Sequence, residues 1–334
     1  MKTSLIRRSF LASAAAALTF GACLSVQAQD KTVIRVSTAA VPADWHGKMW
    51  TVFKDELNRT APGRFDVQIN LNGTLFKQGT EPAAMARGNL EMSTVSAFDM
   101  AKQAPEFSIL TAGYIIRDPD QLMKVLSGPI GEELYKKASE KLDITVLSPL
   151  YLGTRQLNLR ELRNVRTPAD LKGVKLRMPA SKEWLFLGEA LGATPTPLAF
   201  GEVYLGLKTG TIDGQDNPLP SVRSAKFYEV TKQITLTNHL VDGLFISLSN
   251  KIWNGLNADL KAKVKSAAQL AAKYNNENRL KEESEILEFF KSQGLVVTTP
   301  DQDAFRKAVQ GAYLKSEYVK EWTPGMLDRI NSTR

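Results

Sequence analysis

Histidine and cysteine are almost missing from this chain: His46, His239 and Cys23 are the whole supply among 334 residues. So sparse a set leaves no material for a zinc site, a cysteine nucleophile or a serine–histidine triad, and no metal centre is expected. A phosphate-binding loop is missing too. The stretch Gly206-Leu-Lys-Thr-Gly210-Thr-Ile-Asp-Gly214 has glycines but lacks the adjoining Lys-Ser/Thr, so it reads as a helix stop followed by a turn. No nucleotide or other cofactor is therefore expected. No basic run is interleaved with aromatics, which argues against a nucleic-acid partner. What is present, 43% hydrophobic and 23% charged residues, is the profile of a globular protein with one large or two medium domains.

Residues 1–28 read as an export signal. Lys2, Arg7 and Arg8 form a basic start, Phe10 to Ala22 is an apolar run too short to span a membrane, and Val26-Gln27-Ala28 offers a small-residue cleavage site. Arg7-Arg8-Ser9-Phe10-Leu11 also resembles a twin-arginine export motif, whereas Phe20-Gly21-Ala22 before Cys23 is a poor lipoprotein lead-in. The expected mature chain is periplasmic, begins at Gln29 and has no cysteine, hence no disulfide. Loss of three cations and no acid takes the formal charge from +8 to +5, a mild field that favours anionic small molecules.

Strands and helices then alternate. Thr32 to Ser37 and Phe65 to Leu71 read as strands around a helix at Lys48 to Leu57, whose Met49, Trp50, Phe53 and Leu57 share one face. Thr80 is expected to cap a helix that stops at Gly88, with a strand over Leu90 to Val95. A second α/β unit begins near Tyr151, with a compact helix within Val165 to Gly173, a strand over Val174 to Met178, and further helices at Glu183 to Leu191 and Glu202 to Thr209. The alternation predicts α/β architecture with largely parallel sheets. Leu244 to Ser249 is a late apolar strand, so the chain crosses between domains more than once. Asp259 to Lys291 contains neither Pro nor Gly, and as one helix it would run about 50 Å, with a polar middle at Asn275 to Asn278 bridging two bodies; two separate helices are the alternative.

In such a protein the polar groups that converge on the cleft decide the chemistry. Arg177, in the strand Val174 to Met178, shares a face with Lys175; it is either a guanidinium set to clamp a carboxylate or a solvent-facing edge residue. Arg155 follows a strand that reads Ile144 to Pro149, at the end where α/β crevices form, or is a surface loop charge. Asp213 to Pro218 has the composition of a polar turn. Trp184 and Phe200 are core aromatics or cleft walls. Both histidines read as structural.

The series Gly153-Thr-Arg155, Asp170-Leu-Lys-Gly-Val-Lys-Leu-Arg177, Pro197-Leu-Ala-Phe-Gly-Glu-Val-Tyr204, Leu207-Lys-Thr-Gly210 and Ile212-Asp-Gly-Gln-Asp-Asn-Pro218 resembles the extracytoplasmic binding proteins of TRAP transporters. The match in order and spacing runs over roughly residues 30 to 295. The resemblance implies a two-lobed periplasmic binding protein with a long helix crossing both lobes. Lobe I is expected to comprise residues 29–152 plus 243–282, and lobe II residues 153–242 plus 283–334. It also implies a monomer that hands a C4-dicarboxylate or sugar acid to the membrane subunits of a TRAP transporter. By the same resemblance Arg177 binds the ligand carboxylate, Arg155 assists, and Asn217, Gln78 and Glu81 add polar contacts beside Trp184 and Phe200. The loop from Val41 to Trp45 lies near the cleft. Ser96 stands where sialic-acid binders have Glu, which argues against a sialate. The competing class, an exported enzyme acting on a carboxylate, would need a general base among Glu81, Glu202 and Asp213, and no paired carboxylate motif supports it.

Overall fold

The computed structural model describes residues 31–333. The segment read as an export signal, with Arg7, Arg8 and Cys23, lies outside the described residues. In chain order the strands are β1 (Thr32–Ser37), β2 (Phe65–Asn70), β3 (Met92–Ser96), β4 (Ile144–Leu159), β5 (Lys175–Met178), β6 (Thr194–Pro197), β7 (Gly214–Pro218), β8 (Gln233–Ser249) and β9 (Val296–Thr298). The helices of the first half are α1 (Trp45–Thr60), α2 (Glu81–Ala86), α3 (Ala97–Ala101), α4 (Pro119–Ser127) and α5 (Pro129–Leu142). They are followed by α6 (Lys182–Ala190), α7 (Val203–Thr209), α8 (Leu219–Ser224), α9 (Asn250–Gly255), α10 (Ala258–Ser292), α11 (Gln302–Lys315), α12 (Tyr318–Glu321) and α13 (Met326–Ser332).

One sheet runs in the order β2-β1-β3-β8-β4-β7-β5-β6, with β9 beside β8. It is mixed rather than largely parallel. Strands β2-β1-β3 at one end and β7-β5-β6 at the other are parallel, as their helical crossovers require, but β8 and β4 join them as a long antiparallel pair. The two parallel ends are the sheets of two lobes, and β4, β8 and α10 run between them.

Four local expectations change. The strand that starts at Ile144 continues through Pro149 to Leu159, because register irregularities at Val146/Ser148 and Tyr151/Gly153 let it keep pairing with β8; Arg155 thus sits inside a strand and not in a loop after one. The expected turn over Asp213 to Pro218 is, from Gly214 on, strand β7, buried throughout, where Asp216 meets Arg155 and His239 and Asn217 donates to Gln215. Residues 165–173 form only a one-turn 3₁₀ segment at Pro168–Leu171, and the Thr80 hydroxyl donates to the Lys77 carbonyl (2.7 Å) instead of capping α2.

Helix α10 is continuous over 35 residues. Its first half packs Val264, Ala267 and Ala271 on the face that carries Trp50 and Phe53 of α1; its far end places Ile286 and Phe290 in a second core with Phe227 and Ile234. The polar middle is not a solvated gap. Asn275 is buried and donates to the Tyr151 carbonyl (2.7 Å), Asn276 accepts from the Tyr151 amide (2.8 Å), and Glu283 accepts from the Thr154 amide (2.8 Å). Polar side chains in the middle of this helix therefore satisfy backbone groups of β4 where its register breaks.

Candidate functional site

The site grows from the positions of two arginines. β5 is flanked by both β6 and β7, so Arg177 is interior and buried, not at an edge, while Lys175 on the same strand is exposed. The Arg177 Nε donates to the Leu198 carbonyl (2.8 Å) and its Nη2 to Gln78 Oε1 (2.8 Å); Nη1 is buried with no partner. Burial pushes its pKa down to about 9, against the pull of Asp216, so it remains charged at neutral pH. An unpaired donor on a buried cation is costly within the fold and points to a partner that comes from outside it.

Arg155 is braced from three sides. Its Nε donates to Asp242 Oδ2 (2.7 Å), and its Nη1 reaches the Asp216 carbonyl (3.1 Å), Asp216 Oδ2 (3.3 Å) and Asn217 Oδ1 (3.3 Å). The guanidinium lies 4.4 Å over Trp184, whose ring is stacked on Phe98 at 3.4 Å. Asp216 in turn meets His239 Nε2 at 3.1 Å. Burial alone would push Asp216 up, but the Arg155 charge and the His239 hydrogen bond outweigh it and hold the carboxyl low. Burial opposes the charge of Arg155 as well, and Asp216 and Asp242 more than restore it. The result is a guanidinium fixed in charge and direction, whose Nη2 makes no hydrogen bond to the described residues.

Arg155 and its partner Asn217 line a cavity of about 80 Å³ between the lobes. Six of the seven residues proposed from sequence line it: Gln78, Glu81, Arg155, Trp184, Phe200 and Asn217. Arg177 stands behind this lining, joined to it by Gln78, whose Oε1 also accepts from the Phe200 amide (3.0 Å). One glutamine from the β2–β3 connection thereby ties Arg177 of β5 to Phe200, just after β6. Glu81 is buried, and that burial, reinforced by Asp99, pushes its carboxyl up to about 8, so it is protonated at neutral pH.

Sequence reasoning missed most of the opposite wall. Asp44, the cap of α1, accepts from Arg279 Nη2 (2.6 Å) and from the hydroxyls of Ser221 (3.1 Å) and Ser224 (3.0 Å), linking the start of α1, the middle of α10 and α8. His46 Nε2 lies 2.6 Å from Thr94 Oγ1, and burial pushes this imidazole down to about 4, so it is neutral. Asp44 lies in the loop from Val41 to Trp45 that the resemblance placed near the cleft, and it carried a further readable signal as an Asp just ahead of an amphipathic helix. His46 and Thr94 carried none, since only the pairing of β1 with β3 brings them together.

A wider groove of about 760 Å³ lies outside this cavity, along Trp45, Lys48, Arg223 and Phe289. Of its cations, Lys226 and Lys281 are exposed, Lys48 sits 3.8 Å over Trp45, and Arg223 sits 4.5 Å over Phe289 and 3.1 Å from Glu282. Arg155 lines the smaller cavity and the unpartnered, buried Nη1 of Arg177 stands just behind it. That is where a ligand is to be sought.

Residues 36–319 match the family described as bacterial extracellular solute-binding protein, family 7. The sialic acid-binding periplasmic protein SiaP of Vibrio cholerae is 30% identical over 89% of this chain and 92% of its own length. A TRAP periplasmic solute binding protein from Roseobacter denitrificans, solved with bound 3-deoxy-D-manno-oct-2-ulosonic acid, is 42% identical, with a TM-score of 0.87 over 91% of this chain and 100% of that one. Another from Sulfurospirillum deleyianum, solved with bound succinate, is 26% identical, with a TM-score of 0.84 over 92% and 100%. With its lobes, its spanning helix and this extended match, the chain belongs to the extracellular solute-binding proteins of family 7, which bind solutes and are not enzymes.

Proposed function

We propose that this chain captures a small organic acid, a C4-dicarboxylate or a sugar acid, in the periplasm and delivers it to the membrane subunits of a TRAP transporter, with the ligand carboxylate held by Arg177 and Arg155. The observation that carries the reading is a pair of buried guanidiniums: Arg155 in the lining of the cavity, braced by two carboxylates that set its direction, and Arg177 just behind that lining with an unpartnered Nη1. Planar forks suit a carboxylate, and charged hydrogen bonds of this kind contribute about 1.5 to 3 kcal/mol each. The acids in the relatives, an octulosonic acid and succinate, present the same group.

Capture works by closing two lobes on the ligand, with lobe I as residues 29–152 plus 243–282 and lobe II as 153–242 plus 283–334. In support, β4 shifts register between Tyr151 and Gly153, opposite Gly243 and Asp242 of β8, while Glu283 of α10 bonds the neighbouring Thr154 amide. Gly153 has φ +136°, and a Cβ there would lie 2.4 Å from Pro218 Cβ. All three crossings thus fall at one level, where a hinge needs them.

The test is a thermal-shift panel of dicarboxylates, uronates, aldonates, ulosonates and neutral sugars. At 100 times its dissociation constant a ligand adds about 2.7 kcal/mol of stability. Acids are expected to stabilise and neutral sugars to do nothing. Stabilisation by neutral sugars with every acid inert would overturn the proposal.

A further inference from the structure

We infer that the lobe I wall of the cavity makes this a receptor for polyhydroxylated monocarboxylates and excludes diacids, because every charge on that wall is already matched within the fold. The inference rests on the reading of Arg177 and Arg155 as the carboxylate anchor. It concerns the other end of the ligand.

Among the residues that line the cavity, Arg155 is the one cation, and it belongs to lobe II; the acids are Asp44, Glu81 and Asp99. Asp44 is paired with Arg279 at 2.6 Å. Asp99 is paired with Lys102 at 2.8 Å and accepts from the Ser96 hydroxyl at 2.7 Å. Glu81 holds its proton, and His46 is neutral against Thr94. The wall therefore has no spare positive charge. It has hydroxyls, a protonated carboxyl, an imidazole and carboxylate oxygens, the groups that exchange hydrogen bonds with ligand hydroxyls.

A second ligand carboxylate brought to this wall would lose water without gaining a counter-charge, and would lie beside the Asp99 carboxylate. A hydroxyl at the same place donates to Asp99 or accepts from the Glu81 proton at no such cost. The site thus separates two acids that differ only in their far end.

Calorimetric titration of the exported chain with matched pairs tests this: galactonate against galactarate, and gluconate against glucarate, where a terminal CH₂OH is replaced by a carboxylate. The monoacid of at least one pair is expected to bind a hundredfold or more tighter than its diacid. In Asp99→Asn, which frees the Lys102 ammonium 3.3 Å from the Gly79 carbonyl at the cavity edge, the diacid is expected to recover tenfold or more relative to the monoacid. A diacid that binds within threefold of its monoacid, or an unchanged ratio in Asp99→Asn, would overturn the inference. If dicarboxylates of the thermal-shift panel stabilise the chain while no aldonate, uronate or ulosonate does, the inference falls and the anchor reading stands. If no acid acts at all, both fall.

Discussion

Arg177→Lys is expected to weaken acid binding by tenfold or more, and Arg177→Met to abolish the ligand-induced rise in melting temperature. A lysine keeps a charge but loses the planar fork, and a single lost decade corresponds to about 1.4 kcal/mol. Burial adds to the loss. The pocket already pushes an arginine down to about 9, so an ammonium with a lower intrinsic pKa would be driven toward its neutral form. The free protein should change less. Arg177→Met removes a buried cation with an unpartnered Nη1 but also the donors to the Leu198 carbonyl and Gln78 Oε1, so the unliganded variant should lose far less stability than Arg279→Met. Calorimetry together with melting curves separates the two effects. Undiminished affinity in Arg177→Lys would remove this residue from the anchor.

Arg279→Met carries the largest expected stability loss. Arg279 is fully buried, donates to the Leu152 carbonyl (2.5 Å) and Ser221 Oγ (2.9 Å), and pairs with Asp44 at 2.6 Å. Removing one member of a buried pair strands the other, at about 3 to 5 kcal/mol. Burial pushes Asp44 up, and Arg279, with its further donors, pulls it net below its ordinary value of 3.8. A carboxyl lowered on folding contributes stability that is present above pH 3.8 and is lost as the pH falls through the lower, folded value. In Arg279→Met burial acts on Asp44 without its main counter-charge and pushes the carboxyl up, so the variant takes a proton in mild acid where the parent does not, and the deficit, full at neutral pH, shrinks in acid. Urea denaturation at about pH 7 and about pH 4 reads both. A loss under about 1 kcal/mol at neutral pH, or one independent of pH, would contradict the assignment.

How much of this was legible in the sequence follows from the range of each interaction. The uninterrupted run from Asp259 to Lys291 announced α10, since nothing in it could break a helix. Arg177 stood out as a charge in an apolar strand, and its burial became certain only when β6 and β7 closed on both sides. Gly214 to Pro218 has turn composition yet forms β7, because tertiary partners override the local preference: Asp216 meets Arg155 and His239, and Asn217 donates to Gln215 (2.5 Å). Pro149 appeared to end a strand, but irregular pairing with β8 absorbs the missing donor. The Asp44 network joins positions 235 and 180 residues apart, and no spacing rule reaches that far.

A crystal structure with the most stabilising acid of the panel tests the central claim most directly. The account predicts a carboxylate within hydrogen-bonding distance, about 3 Å, of Arg177 and Arg155, with the hydroxylated end turned toward Glu81 and Thr94. A carboxylate seated on the lobe I wall, or a ligand outside this cavity with both guanidiniums untouched, would contradict it.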